Sequence, residues 1–319
     1  MKMTRLFALL VGLLYSQIPV QAKPTFTKTT YVYKKVDDVS IHLDVHRLND
    51  DKQRPTLVWI HGGALIVGSR RSVPRQLLQL AQKNGYALVS IDYRLAPEVK
   101  VPAIIQDLED AFIWMREKGT KIAHLDTKRL VVSGGSAGGY LTLMSGVRVK
   151  PRPTALVAFW GYGDVDGTWY TKPSPFYRKQ PLIDKKDAES AVGKSVLTET
   201  TRANGRKRGM YYRYLRQNGL WTKVVTGFDP KDRDKLTPYC PVRVAPKDYP
   251  PTLMIHGTED NDVPYELSAA MAKRLAKTKV PHQLITVKGA GHGLARGDRK
   301  AVRAAYQQAL DFIQKHLGQ

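Results

Sequence analysis

The stretch Val131-Val132-Ser133-Gly134-Gly135-Ser136-Ala137-Gly138-Gly139 constrains this chain more than any other. An apolar run ends in a Gly-x-Ser-x-Gly pentapeptide, Gly134 to Gly138, and an apolar, helix-capable segment, Tyr140 to Val147, follows. A strand that turns sharply into a helix needs this pattern. Strand and helix cross closely at such a turn, so the residues two before and two after the serine must be tiny. Ser136 then projects its hydroxyl from the top of a sheet, with a helix N-terminus behind it to favour developing negative charge. Short motifs also match by chance, here as a glycine-rich turn with an incidental serine, so the rest of the chain decides.

The flanking sequence alternates strands with helices. Thr30 to Val36 and Val39 to Arg47 are expected as a hairpin turned at Asp37-Asp38. Thr56 to Ile60, Tyr86 to Ile91, Arg129 to Ser133, Ala155 to Trp160, Thr252 to His256 and His282 to Val287 follow as strands. Between and after them, Ser72 to Lys83, Pro102 to Glu117, Ser136 to Val147, Tyr265 to Lys277 and Arg299 to His316 carry helical spacing. The pattern predicts an α/β fold, a mostly parallel eight-stranded sheet with helices on both faces. Residues 161–250 break the rhythm, with no clear buried strand and a basic, Tyr-rich helical stretch at Arg206 to Gln217. A connection this long between two core strands is expected to be an inserted cap or lid.

Charge is the unusual part of the composition. With 51 Lys+Arg against 28 Asp+Glu, the formal charge is +23 and the pI about 10.0. Such a balance favours anionic partners. The basic residues are scattered, however, and the densest cluster, Arg202, Arg206, Lys207, Arg208, Arg213 and Arg216, has no nucleic-acid motif around it. It is expected to be a solvated basic face, and no nucleic-acid partner is expected. The N-terminus reads as a signal peptide over residues 1–22. Lys2 and Arg5 form a positive region, Leu6 to Tyr15 a short apolar one, and Val20-Gln21-Ala22 a small-residue cleavage site. The mature domain is then 23–319, secreted or periplasmic, with no membrane span left after cleavage. Loss of Lys2 and Arg5 leaves the formal charge at +21. Cys240 is the only cysteine, so no intrachain disulfide forms.

A serine nucleophile needs a base, an orienting acid and oxyanion donors. Of the histidines after Ser136, His256 ends an apolar strand, His282 starts a strand and His316 sits in the last turn of a helix. His292 lies in Lys288-Gly289-Ala290-Gly291-His292-Gly293, a glycine loop after the last strand that can lay an imidazole over the serine. His292 is therefore the expected base. The acid is sought in His256-Gly257-Thr258-Glu259-Asp260-Asn261-Asp262-Val263-Pro264, which offers three carboxylates. Asp260 is favoured. Asp262 can instead cap the helix that Pro264 opens, and Asp164 or Asp166 offers a rival position. His61-Gly62-Gly63-Ala64 follows a strand, and its small residues free backbone N–H groups to face an oxyanion together with Ala137 N–H.

These motifs resemble the α/β-hydrolase superfamily, and within it the esterase/lipase group of hormone-sensitive-lipase-like carboxylesterases and secreted acetyl esterases. The resemblance runs over about residues 30–317. His61-Gly62-Gly63-Ala64 is similar to the group's oxyanion motif, with alanine where a third glycine is common. Tyr93-Arg94-Leu95-Ala96-Pro97-Glu98 is similar to a segment that braces that loop, and Gly134 to Gly139 to the nucleophile signature. The run from His256 to Pro264 resembles the acid-bearing motif, which selects Asp260. The resemblance implies Ser136, Asp260 and His292 as triad and Gly63, Ala64 and Ala137 as oxyanion donors. It implies no metal and no organic cofactor. The expected activity is hydrolysis of carboxylic esters through an acyl-enzyme, on small-molecule or glycan esters with short acyl groups such as acetyl. The alternatives are an amidase or peptidase on the same triad, and a non-catalytic binding protein on a hydrolase scaffold. Residues 161–250 match nothing in the group and are expected to shape substrate choice. Oligomeric state is left open.

Overall fold

The computed structural model describes residues 25–318. The segment expected as a signal peptide, 1–22, lies outside the described residues. Eight strands form one sheet: β1 Phe26–Val36, β2 Val39–Leu48, β3 Arg54–Ile60, β4 Ala87–Ile91, β5 Leu125–Gly135, β6 Ala155–Phe159, β7 Thr252–Gly257 and β8 His282–Val287. Their order is β1-β2-β4-β3-β5-β6-β7-β8, and β2 alone runs against the rest. The helices packed on the sheet are α1 Arg75–Asn84, α2 Val101–Trp114, α3 Ala137–Arg148, α5 Tyr265–Lys277 and α6 Arg299–Leu317, and α4 Arg202–Asn218 belongs to the insertion. No helix among the described residues is long and apolar enough to cross a membrane.

Alternation along the strands builds two cores. On β3, Leu57 and Trp59 join α1 and α6 through Leu77, Ala305, Ala309 and Ile313. Val58 and Ile60 point the other way, to α2, α3 and α5 through Ile104, Leu141 and Met271. Both sets are almost wholly removed from water, and each large side chain so buried contributes about 1.5–3 kcal/mol. That two-sided burial is why the central strands read as continuous apolar runs. The ends shift slightly from expectation. Pro74 precedes α1, which closes on Gly85 at φ 66°. After α2 the chain widens into a π turn at Met115–Gly119.

Connectivity places the site. From β3 the chain leaves through α1 to β4, and it returns through α2 to β5 on the other side of β3. The strand order reverses between β3 and β5, and a crevice opens at their C-terminal ends. The loop after β3 and the turn after β5 both border it. Ile60 pairs with Gly134 across the two strands. A Cβ on Gly138 would stand 2.0 Å from the Ile60 carbonyl oxygen, and one on Gly134 would stand 2.4 Å from that of Gly138. The turn therefore exists only with glycine at both positions, as the pentapeptide implied.

Residues 161–250 contain no strand among the described residues and connect β6 to β7. Their longest element, α4, is capped by the Thr201 side chain and closed by Gly219 at φ 66°. Its buried stripe is Arg208, Tyr211, Leu215 and Arg216. The expectation of a solvated basic face fails at two of its six members: Arg208 is 1% exposed and Arg216 is 2% exposed. Each arginine is buried because each has a carboxylate partner, Glu98 for Arg208 and Asp262 for Arg216.

Two glycines separate packing from propensity. Gly138→Ala should cost about 2–3 kcal/mol through overpacking at the elbow, a fall in melting temperature of at least about 4 °C. Gly209→Ala meets nothing within 4 Å in α4 and should stabilise by about 0.5–1 kcal/mol. Thermal unfolding of the two variants beside the parent checks both signs.

Candidate active site

Ser136 is the single residue between β5 and α3, at φ 57° and ψ −121°. This region is costly for a residue with a Cβ, about 1–3 kcal/mol, and persists only where the surroundings impose it. Here Ser136 N–H donates to the Phe159 carbonyl and Tyr140 N–H donates to the Ser136 carbonyl, both at 2.9 Å. The hydroxyl makes no capping bond to α3. It points instead to His292, whose Nε2 lies 3.1 Å from Ser136 Oγ.

His292 comes from the loop after β8, and its Nδ1 is 2.8 Å from Asp260 Oδ2. Because a carboxylate only accepts, Nδ1 carries the hydrogen and Nε2 is left to accept from Ser136. Asp260 comes from the loop after β7. Its Oδ1 accepts the N–H groups of Asp262 and Val263, both at 2.9 Å. The fold thus brings Ser136, His292 and Asp260 into one hydrogen-bonded line. Burial pulls the His292 imidazolium down, but the hydrogen bond to Asp260 and the charges of Asp262 and Asp260 outweigh it, so its pKa is raised. Burial also disfavours the Asp260 carboxylate, yet hydrogen bonds from His256 and His292 and the His292 charge hold it well below the usual range.

Three other acids do not reach His292. Asp164 accepts from Gly167 N–H and Trp169 Nε1, Asp166 pairs with Arg243, and Glu259 is exposed. Asp262 does not cap α5, whose N-cap position is Pro264. Its Oδ2 lies 3.6 Å from His292 Nε2. His256, passed over as a strand-end residue, stands behind the acid with Nε2 3.3 Å from Asp260 Oδ2. Its Nδ1 meets Ser268 Oγ at 2.7 Å and its Nε2 meets the Val263 carbonyl at 2.9 Å. The sequence signal for it was a histidine ending an otherwise apolar buried strand.

The loop after β3 lies against the serine, and a Cβ on Gly62 would come within 3.2 Å of Ser136 Cβ. Gly63, Ala64 and Leu65 have φ of 111°, 56° and 63°. Alanine at the second position therefore adds left-handed strain that glycine would not. Three successive carbonyls of this loop are pinned from outside. Trp221 Nε1 donates to Ala64 O at 3.2 Å, Ala96 N–H to Leu65 O at 2.7 Å and Arg208 Nε to Ile66 O at 2.8 Å. No acceptor among the described residues takes the N–H of Gly63, Ala64 or Ala137. Arg208 also grips Glu98 through two contacts at 2.8 and 2.9 Å. Tyr93 OH donates to His61 O at 3.0 Å, and its ring stacks on His61 at 4.4 Å. Burial pushes His61 down to about 4, so it is neutral. The segment Tyr93 to Glu98 therefore braces the loop, and the insertion braces it too.

Beside Ser136 opens a cavity of about 260 Å³. Its apolar walls are Trp59, Leu77, Phe159, Trp160, Tyr306 and Leu310. None of its lining residues comes from 161–250, so the insertion does not build this cavity as expected. The insertion instead contributes Tyr177, Tyr212 and Arg216, which bind Asp262 on the His292 side.

A family model described as BD-FAE matches residues 43–275. Esterase LipC of Mycobacterium tuberculosis is 26% identical over 81% of this chain, which spans 58% of LipC. The chain spans still less, 15% and 12%, of two fungal non-reducing polyketide synthases it also matches. An α/β-hydrolase superfamily protein from Enterococcus faecalis shares the fold at a TM-score of 0.69 and 20% identity, over 91% of this chain and 100% of that one. A truncated carbohydrate esterase from gut microbiota shares it at 0.63 and 20% identity, over 93% and 99%. By its sheet, its elbow and this match over most of its length, the chain belongs to the BD-FAE family, in the esterase/lipase group of the α/β-hydrolase superfamily.

Proposed function

We propose that this protein hydrolyses carboxylic esters through an acyl-enzyme on Ser136. The observation that carries this is the line from Ser136 Oγ to His292 Nε2 at 3.1 Å and from His292 Nδ1 to Asp260 at 2.8 Å. In this mechanism Ser136 Oγ attacks the ester carbonyl as His292 takes its proton. The N–H groups of Gly63, Ala64 and Ala137 receive the oxyanion, each worth on the order of 3 kcal/mol in the transition state. Protonated His292 gives its proton to the leaving alcohol, then activates the water that frees the acid and restores Ser136.

The substrates are esters of small or short acyl groups, including acetyl, with the gut carbohydrate esterase among its structural neighbours supporting a glycan alcohol. A second reading of the acyl group rests on the cavity beside Ser136. At about 260 Å³ with six apolar walls, it has room for a flat or medium-length acyl chain as well as for acetyl. The pattern of Lys2, Arg5, Leu6 to Tyr15 and Val20-Gln21-Ala22 supports export. Lys23 as the first residue of protein recovered outside the cytoplasm is the expected result, and retention of Met1 refutes it.

A serine-directed phosphonate should label the folded protein once, on Ser136. Ser136→Ala should abolish labelling and lower kcat by about 10⁵–10⁶, and Asp260→Asn should lower it by about 10⁴. Unlabelled folded protein, or turnover retained in Ser136→Ala, overturns the reading. With p-nitrophenyl esters from acetyl to decanoyl, an acetyl optimum supports the first acyl reading and an optimum at butyryl or hexanoyl the second. A decanoyl optimum contradicts both.

The acid limb of kcat/KM has a definite sign. His292 must be neutral to act as base, and its raised pKa keeps it protonated to higher pH. The limb should therefore lie above about 6.5, the ordinary histidine value. Asp262→Asn removes one of the charges that raise it and should move the limb to lower pH; an upward move would contradict this electrostatic assignment.

A further inference from the structure

Asp262 is placed for a role that neither the triad nor the fold requires. Its Oδ1 accepts three hydrogen bonds, from Tyr177 OH at 3.0 Å, Tyr212 OH at 2.5 Å and Arg216 Nη1 at 2.8 Å. Arg216 Nη1 also donates to the Asp262 backbone carbonyl at 3.0 Å. The arginine is itself immobile, 2% exposed and ringed by Trp169, Tyr170, Tyr177 and Tyr212 with centroids 5.0–5.7 Å away. One oxygen of Asp262 is thus saturated and the carboxylate cannot turn. Oδ2 has no hydrogen bond among the described residues, and the side chain keeps 18% of its surface open. It stands 3.6 Å from His292 Nε2, the nitrogen that serves Ser136.

A carboxylate held this firmly, with one free oxygen beside the proton-transfer nitrogen, is a fixed acceptor waiting for a donor. The leaving oxygen of an ester must lie within hydrogen-bond reach of His292 Nε2 to receive its proton. A hydroxyl on the carbon adjacent to the one bearing that oxygen then comes within reach of Asp262 Oδ2. A leaving alcohol without such a hydroxyl would strip water from Oδ2 and return nothing.

We propose that Asp262 Oδ2 accepts a hydrogen bond from a hydroxyl adjacent to the scissile ester, and so selects esters of polyols and sugars over esters of simple alcohols. The proposal rests on the ester-hydrolase reading of Ser136 and His292. In the step concerned, the acyl C–O bond breaks and the acyl carbon stays on Ser136 Oγ. The leaving oxygen takes the proton of His292 Nε2, and the neighbouring hydroxyl keeps its own proton throughout. Arg216, Tyr177 and Tyr212 act through Asp262 as positioning residues. All three lie in the insertion, which by this route reaches the alcohol side of the substrate.

The test is a matched pair, 2-hydroxyethyl acetate and 2-methoxyethyl acetate, with p-nitrophenyl acetate as reference. The first two present the same acyl group and differ in one donor. The wild type should favour the hydroxyl ester in kcat/KM by at least about tenfold. In Asp262→Asn the amide oxygen keeps Arg216 and the tyrosines while the amide nitrogen faces the site, and the preference should fall to about one. The ratio is taken within one sample, so partial misfolding of a variant does not alter it. Asp262→Ala gives the same ratio by deletion. Equal rates in the wild type overturn the proposal, as does a preference that survives in both variants. An equal loss on both esters, with the ratio intact, would mean that Asp262 only tunes His292. Absence of turnover on all three substrates by folded wild type would instead sink the ester-hydrolase reading itself.

Discussion

The site depends on one close approach. The start of α3 lies so near the end of β3 that a methyl group on Gly138 would sit 2.0 Å from the Ile60 carbonyl. That contact forces the chain to turn within one residue, and Ser136 absorbs the turn at φ 57°. The strain is local, while the forces that impose it are distributed over two cores and eight strands. A serine on an ordinary loop would avoid the strain and lose its fixed direction toward His292.

The loop after β3 is held by a different principle. It has little core of its own, with Gly62, Gly63 and Ala64 contributing almost no side chain. Its shape comes from donors that arrive from elsewhere and take the carbonyls of Ala64, Leu65 and Ile66. Two of these donors, Trp221 and Arg208, belong to the insertion. Thr200 N–H adds a bond to Gly68 O at 2.8 Å, and Glu199 accepts one from Ser69 Oγ at 2.9 Å. The insertion is therefore a buttress of the loop after β3, which a reading of it as a lid alone does not convey. Removing it would leave the carbonyls of Ala64, Ile66 and Gly68 without these donors.

The parts legible in the sequence are those whose cause is local. Buried strands announce themselves as apolar runs because both faces are covered. The elbow announces itself because only glycine tolerates the crossing. His292 stood out as the histidine in a glycine loop after the last strand. The parts that were not legible depend on side chains from distant elements. The cavity beside Ser136 is assembled from Trp59, Leu77, Phe159, Tyr306 and Leu310 on four different elements, and no window of sequence contains it. Arg208 and Arg216 were counted with the surface because arginine usually stays there. Helical spacing puts them on one stripe with Tyr211 and Leu215, and that spacing was the available signal. What spacing could not supply was Glu98 and Asp262, the distant carboxylates that make burial tolerable.

Asp262 shows how the insertion enters the electrostatics of the site. His292 stands between two carboxylates, with Asp260 on Nδ1 at 2.8 Å and Asp262 near Nε2 at 3.6 Å. Both favour the imidazolium, while burial and the Arg216 charge oppose it. Arg216 shares Asp262 with the histidine and takes up part of its charge, so the cation of the insertion moderates the basicity of a residue on the hydrolase core. The arginine can do this only because four aromatic rings and one carboxylate replace the water it has lost. The same arrangement fixes the free oxygen of Asp262. On the proposed reading, tuning of the base and recognition of the alcohol are two consequences of one buried ion pair, and a change at Arg216 alters both.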